Sequence, residues 1–350
     1  MKTKAAVLFE TNEPLRTIEM VIPSLKAGQV LVDIAYSGLC HSQLNEIEGL
    51  KGKDNYLPHT LGHEGSGVVL EIGEGVKKVK PGDHVVLTWI KGIGLDVPST
   101  TYQLKGQNIN SGAISTFMEK AVISENRLIP ISKEMPLKEA ALLGCAIPTG
   151  AGIVINNASI QPGDSVAIFG VGGIGLSAVI VASALGAGQI IAVDVVDYKL
   201  ELAAKSGATH TINASTQDAL AVIMDITGGK GVKYSIESAG SIVSMETAFK
   251  SVMNNGGKCI IAGNLPHGKQ FSIDPMDLIL GKNICGSWGG ETNPDLDIPK
   301  YVEWHLEHKL NLSALLTHEY SLGDINRAFS ELKAGKVGRA LVCLNHKIKD

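Results

Sequence analysis

Cys40, His63 and Cys145 place two thiols and one imidazole upstream of a glycine-rich run, GVGGIG, at Gly170 to Gly175. Thiolate and imidazole are preferred donors for zinc, and a catalytic zinc takes three such ligands and leaves its fourth position for water or substrate. The glycine run has the form of a dinucleotide fingerprint, which would supply a nicotinamide as redox partner. Together these residues point to zinc-assisted hydride chemistry.

The elements around them decide how far that reading carries. A chain with 40 glycines offers chance GxGxxG matches, and a free cysteine is often only a small buried apolar side chain. Here the glycines follow an apolar run, Ser165 to Phe169, and open a small-residue helical pattern, Leu176 to Leu185. In that setting Gly170 allows a tight turn and Gly172 lets the backbone approach a pyrophosphate. Gly173 and Ile174 continue the same loop, and Gly175 allows close helix–strand packing. Asp194 stands 19 residues after Gly175, at the end of IIAVD. A carboxylate there hydrogen-bonds a ribose 2′-hydroxyl and repels a 2′-phosphate, so NAD is expected over NADP.

From Lys4 to about Val86 short alternating runs such as VLVDIAYSG and GSGVVLEIG are separated by turn signals, an all-β pattern. From about Pro148 the pattern changes to strands alternating with helices. Strands are expected at Ile190 to Val193, Val232 to Ile236, Lys258 to Ala262 and Asn283 to Ser287. Helices are expected near Tyr198 to Ser206, Thr216 to Thr227 and Ser244 to Val252. That alternation predicts a doubly wound parallel sheet. Helices near Pro299 to His308 and Gly323 to Ala334 and a strand at Arg339 to Leu344 follow, in a tail without a glycine fingerprint that would rejoin the N-terminal part.

Composition excludes other classes of function. With 350 residues and 44 % hydrophobic content there is material for two cores. A net charge of -4, with Lys and Arg scattered along the chain, argues against a nucleic-acid or anionic-membrane surface. No apolar run reaches the ~20 residues needed to span a bilayer. Glu10 interrupts the N-terminal apolar stretch before a signal-peptide core can form. Five cysteines without a CxxC pair suit a reducing compartment, and a cytoplasmic protein with a small-molecule partner is expected.

The segments LGHEGSGVVLEIGEGV, LGCAIPTG and QPGDSVAIFGVGGIGL resemble the zinc signature and the cofactor-domain entry of the medium-chain, zinc-dependent alcohol dehydrogenase family. The likeness runs from about Lys4 to Leu344 and is weakest between Thr88 and Gly112. It implies a GroES-like, mainly β catalytic domain built from residues 1–146 and 289–350, with a Rossmann domain inserted at 147–288. A homodimer or homotetramer is expected.

By that resemblance Cys40, His63 and Cys145 are the zinc ligands, Glu64 sits beside the metal, either behind its ligands or as a transient ligand itself, and Ser42 contacts the substrate oxygen. His41 and Arg339, the latter in GKVGRALV, match positions that meet the cofactor pyrophosphate. Asp194 and Lys199 match those at the adenosine ribose, and Thr149 lies near the nicotinamide. Trp89 falls where an aromatic residue lines the substrate pocket, or it serves packing alone. In the implied mechanism zinc is a Lewis acid toward an alcohol or carbonyl, Ser42 relays the hydroxyl proton, and the nicotinamide takes hydride. Polyol, sugar, aliphatic and benzylic alcohols all fit.

Three departures accompany the likeness. The stretch Thr88 to Gly112 has none of the four cysteines that bind a structural zinc in many relatives, so one zinc per chain is expected. Gln43 stands where relatives often place an Asp behind the zinc-binding His, and Asn45 replaces a His that often ends the proton relay. Proton exit would then run through cofactor hydroxyls and His41. Two rival readings are a zinc-free quinone or enone reductase of the same superfamily and a non-catalytic NAD(H)-binding protein. Two thiols and an imidazole at these positions have no use in the first.

Overall fold

The computed structural model describes residues 1–112, 114–345 and 348, and the chain divides into two compact units. The first comprises Met1–Cys145, Asn293–His308 and Leu316–Asp350; the second comprises Ala146–Thr292 and Lys309–Leu315. The chain thus leaves the second unit at Thr292 rather than near 288, and returns to it briefly. Residues 289–292 stay there because they are tied to the helix Ala146–Gly152: the Thr292 hydroxyl Oγ1 donates to Pro148 O at 2.9 Å, and the backbones approach so closely that a Cβ on Gly152 would lie 2.3 Å from Gly290 O.

The first unit is mainly β. Strands Lys2–Leu8, Arg16–Val21, Thr101–Leu104, Gln107–Asn110 and His59–Thr60 close a small barrel. A seven-stranded sheet runs in the order Leu128–Ile131, His84–Thr88, Glu64–Ile72, Gln29–Gly38, Arg339–Cys343 and Leu316–Ser321, with Lys120–Ser124 also on Gln29–Gly38. Arg339–Cys343 pairs antiparallel with Gln29–Gly38, Leu341 opposite Gly38, which brings the C-terminal strand beside the segment that precedes Cys40. Ala5–Leu8, Val30–Val32, Phe117, Met118 and Val342 lie in one apolar cluster of this unit.

The second unit holds a six-stranded parallel sheet in the order His210–Asn213, Gln189–Asp194, Ser165–Phe169, Tyr234–Glu237, Lys258–Ile261 and Asn283–Gly286. The strands Ser165–Phe169 and Gln189–Asp194 are near-continuous apolar runs because a parallel sheet in a doubly wound fold is covered on both faces. The helix Gly173–Ala184 is apolar all round for the same reason, with eight of its residues buried. This is the Rossmann arrangement, and the first unit is GroES-like. The sequence pattern gave no warning of the edge strand His210–Asn213, whose one buried residue is Ile212. No single helix among the described residues is long and apolar enough to cross a membrane.

Candidate active site

Three segments deliver the candidate ligands, and each is held by a glycine at which side-chain volume is forbidden. Cys40 caps the helix His41–Ile47 from an extended conformation, two residues after Gly38, where an added Cβ would lie 2.6 Å from the Glu64 carboxyl carbon. His63 follows Gly62, whose φ of +98° favours glycine and whose Cβ would meet Thr116 Oγ1 at 2.3 Å. Cys145 follows Gly144, which packs on Leu87 O and the Glu64 backbone. One ligand atom from each of Cys40, His63 and Cys145 lies within 4.8 Å of the other two. Two thiols and an imidazole so grouped fit zinc by donor type and by count.

The charges around the group are arranged for a cation. The Cys145 thiol donates to Cys40, holding Cys40 well below the ordinary cysteine range, while burial opposes and a hydrogen bond from His63 assists. The same bond, with burial, raises Cys145. Burial works against an imidazolium at His63, but the hydrogen bond and charge of Cys40 outweigh it and raise the group. Glu64, fully buried at the start of its strand, is raised by burial and opposed by Arg339. Arg339 Nη2 donates to Glu64 Oε1 at 2.5 Å, and its Nη1 donates to Leu39 O at 2.9 Å. The guanidinium Nε is buried without a partner.

Behind His63 stands Gln43, almost wholly buried. Its Oε1 accepts from the Cys40 backbone N–H at 3.2 Å, and its Nε2 hydrogen-bonds His63 Nδ1. The residue that replaces the expected Asp is thus the direct partner of the imidazole. The carbonyl of Glu64 is fixed by two hydroxyls, Ser37 Oγ and Thr116 Oγ1, each donating at 3.0 Å. Nothing in the sequence marks Ser37 or Thr116, because their partner is a backbone atom distant in the chain. Asn45 is half-buried on the same helix. Ser42, also half-buried, makes no hydrogen bond through its hydroxyl among the described residues; His41 is exposed.

Trp89 is partly buried and packs on the apolar cluster of the first unit, and its carbonyl accepts from Arg127 Nη1. A second group, Glu46, Asp54 and His59, also brings its ligand atoms within 4.8 Å. There His59 Nε2 is 2.8 Å from Asp54 Oδ2, and Lys51 Nζ meets Glu46 Oε2 at 2.8 Å, an ion-pair network that ties the end of the helix to strand His59–Thr60.

In the second unit, Gly170 adopts φ +81° against Ala239, and a Cβ on Gly175 would lie 2.0 Å from Gly170 O. A Cβ on Gly172 would meet nothing within 4 Å, so this is the open face of the loop. Gly173 and Ile174 begin the helix behind it. Asp194 ends the neighbouring strand; its Oδ2 accepts from Val171 N at 2.9 Å and its Oδ1 from Val195 N and Val196 N at 2.8 and 3.1 Å. A carboxylate offers about four acceptor sites, so one remains. Lys199 is half-buried on the helix Asp197–Lys205 that follows. Thr149, in the helix Ala146–Gly152, is buried with its hydroxyl unpartnered.

Residues 26–133 match the family model described as the alcohol dehydrogenase GroES-like domain, and residues 173–307 match the one described as zinc-binding dehydrogenase. The chain is 35 % identical to an S-(hydroxymethyl)glutathione dehydrogenase of Synechocystis, with 98 % of this chain and all of the relative covered. A protein of the same name from Escherichia coli is also 35 % identical over 98 % of the chain and all of its own length. Among solved structures, an alcohol dehydrogenase zinc-binding domain protein from Burkholderia ambifaria superposes with a TM-score of 0.91 at 33 % identity, over 99 % of this chain and 100 % of its own. Benzyl alcohol dehydrogenase from Acinetobacter calcoaceticus gives a TM-score of 0.89 at 30 % identity, with the same coverage. These likenesses do not favour a zinc-free reductase or a non-catalytic binding protein.

Proposed function

The chain belongs to the zinc-dependent alcohol dehydrogenase family, and from that premise we propose that it interconverts an alcohol and an aldehyde or ketone with NAD as hydride carrier. The observation that carries the proposal is the convergence of Cys40, His63 and Cys145 donor atoms within 4.8 Å. Zinc at that group supplies Lewis-acid polarisation of the substrate oxygen. NAD supplies the hydride acceptor.

The chain's own residues do the rest. Ser42, two residues from a ligand and with an uncommitted hydroxyl, takes the substrate hydroxyl proton and passes it toward His41 at the surface. Glu64 and Arg339 set the local charge behind the sulfurs. The open face at Gly172 takes the pyrophosphate, the remaining acceptor site of Asp194 takes a ribose hydroxyl with Lys199 beside it, and the unpartnered Thr149 hydroxyl meets the nicotinamide. Trp89 belongs to the packing around the substrate pocket.

We infer a homo-oligomer, because Asn283–Gly286 is an edge strand and the preceding short helix Pro275–Ile279 and its C-cap expose Met276, Leu278, Ile279 and Leu280. The five unpaired cysteines suit a reducing cytoplasm.

The test is the purified protein analysed for metal and assayed by nicotinamide absorbance against alcohols and carbonyls. The panel includes benzyl alcohol and S-(hydroxymethyl)glutathione, the substrates in its relatives' names. Zinc-dependent turnover with NAD is expected. Turnover that survives complete removal of zinc would favour a zinc-free reductase, and NAD binding without any turnover would favour a sensor.

A further inference from the structure

The Gln43 side chain has one oxygen and two neighbours that call for it. As it stands, Oε1 accepts from the Cys40 backbone N–H at 3.2 Å, completing the capping box of the helix His41–Ile47, while the amide nitrogen faces His63 Nδ1. An amide nitrogen only donates, so Nδ1 is here the acceptor, and the proton of a neutral imidazole sits on Nε2. An imidazole that binds a metal through Nε2 has the reverse arrangement: its lone pair is on Nε2 and its proton on Nδ1, where it requires an acceptor. In the orientation observed, Nδ1–H would meet an NH₂ group. Gln43 is only 2 % exposed, which leaves its own oxygen as the acceptor at hand.

We propose that Gln43 is the positioning residue of His63, and that its amide turns over when zinc is loaded so that Oε1 leaves the Cys40 N–H and accepts from Nδ1. The proposal rests on the reading of Cys40, His63 and Cys145 as zinc ligands. Loading then competes with the cap of the helix that begins at one of the ligands. A side chain of equal length with two oxygens removes the competition: in Gln43→Glu one oxygen serves Cys40 N–H and the other serves Nδ1–H. Gln43→Leu serves neither.

The experiment uses full-length wild type, Gln43→Glu and Gln43→Leu. Zinc content is measured first, then zinc retention against a competing chelator at fixed pH, and the imidazole ¹⁵N shifts of wild type with zinc removed and restored. The ¹⁵N shifts are expected to show the His63 proton moving from Nε2 to Nδ1 as zinc is restored. Gln43→Leu is expected to hold zinc roughly 10- to 100-fold more weakly, the usual effect of losing such a partner. Gln43→Glu should hold it at least as tightly as wild type. If zinc-loaded wild type and Gln43→Leu retain the metal equally, or if Nδ1 already carries the proton before zinc is restored, the proposal is wrong while the zinc site stands. Wild type that takes up no zinc overturns both. Should Gln43→Leu fail to fold without its cap, the wild-type ¹⁵N measurement and Gln43→Glu still decide the question, and weaker zinc retention by Gln43→Glu counts against the proposal.

Discussion

Arg339 Nη2 and Glu64 Oε1 meet at 2.5 Å, 275 residues apart in the chain, with both side chains buried beside Cys40 and Cys145. Removing one partner of such a pair leaves an uncompensated charge and costs about 3–5 kcal/mol, whereas replacing both by neutral groups of like volume costs far less. Arg339→Met and Glu64→Gln should therefore each lower the denaturation midpoint markedly, and the double substitution should recover much of the loss. Equal and additive losses in denaturant titrations would show that the pair is not coupled.

The purified protein should contain one zinc per chain. The segment 88–112 carries no cysteine cluster, and its place is taken by two carboxylates. Glu125 accepts from the backbone N–H groups of Lys77, Lys78 and Leu95, and Asp295 accepts from Ile93 N at 2.6 Å while pairing with Lys78 Nζ at 2.5 Å. Elemental analysis checks the count, and two tightly held zincs per chain would contradict it. Cys40→Ser should lose most of the metal, since a neutral hydroxyl is a poor zinc donor.

Glu125 also gives the protein an acid-sensitive joint. Burial acts to raise its carboxyl, but hydrogen bonds from Leu95, Lys77 and Lys78 prevail and hold it below the ordinary value of 4.5. A depressed carboxylate contributes stability that is present above the unfolded value and lost as pH falls through the folded one. Thermal unfolding between pH 5 and 3, on this reasoning, should be less steeply pH-dependent in Glu125→Gln than in wild type. At pH 7 the substitution should cost about 1.5–3 kcal/mol, the range for a hydrogen bond to a charged group.

Asp194 should set cofactor choice. Asp194→Ser should narrow the preference for NAD over NADP, because the carboxylate repels a 2′-phosphate. Since its oxygens also hold Val171, Val195 and Val196 N–H groups, the KM for both nucleotides should rise. An unchanged ratio of kcat/KM values would refute the assignment.

For Ser42, the expectation is a separation of metal binding from turnover. Ser42→Ala should keep zinc and NADH binding but lose about 10²- to 10⁴-fold in rate, the scale of a general acid–base step. Ser42→Thr should be milder. Near wild-type turnover in Ser42→Ala, on a substrate limited by chemistry, would mean that the proton leaves by another route.

Much of this was legible in the sequence, and what was not has physical causes. The strand Ser165–Phe169 and the loop after it were readable because a buried parallel strand is a continuous apolar run and the tight turn needs glycine. Cys40, His63 and Cys145 could be named from residue type and resemblance, yet their convergence depends on three separate segments. Glu125 and Asp295 gave no signal, since their partners are backbone N–H groups that any residue supplies. Strand His210–Asn213 was missed because an edge strand with a single buried side chain has no period to detect. Gln43 could be read only as a departure from the Asp that relatives often place there, and the geometry shows that its amide reaches the ring.

The glycines at 38, 62 and 144 have a further consequence for how the site can change. Each fills a place where a methyl group would strike the Glu64 side chain, Thr116 or the Leu87 carbonyl, so the segments bearing Cys40, His63 and Cys145 have little freedom to shift. The entropy of gathering the donors is incurred when the chain folds, not when a cation arrives. The backbone of this region is therefore a template whose shape precedes its metal. Its most fragile positions include three residues with no chemistry of their own, where alanine should displace a ligand as surely as a change to the ligand itself.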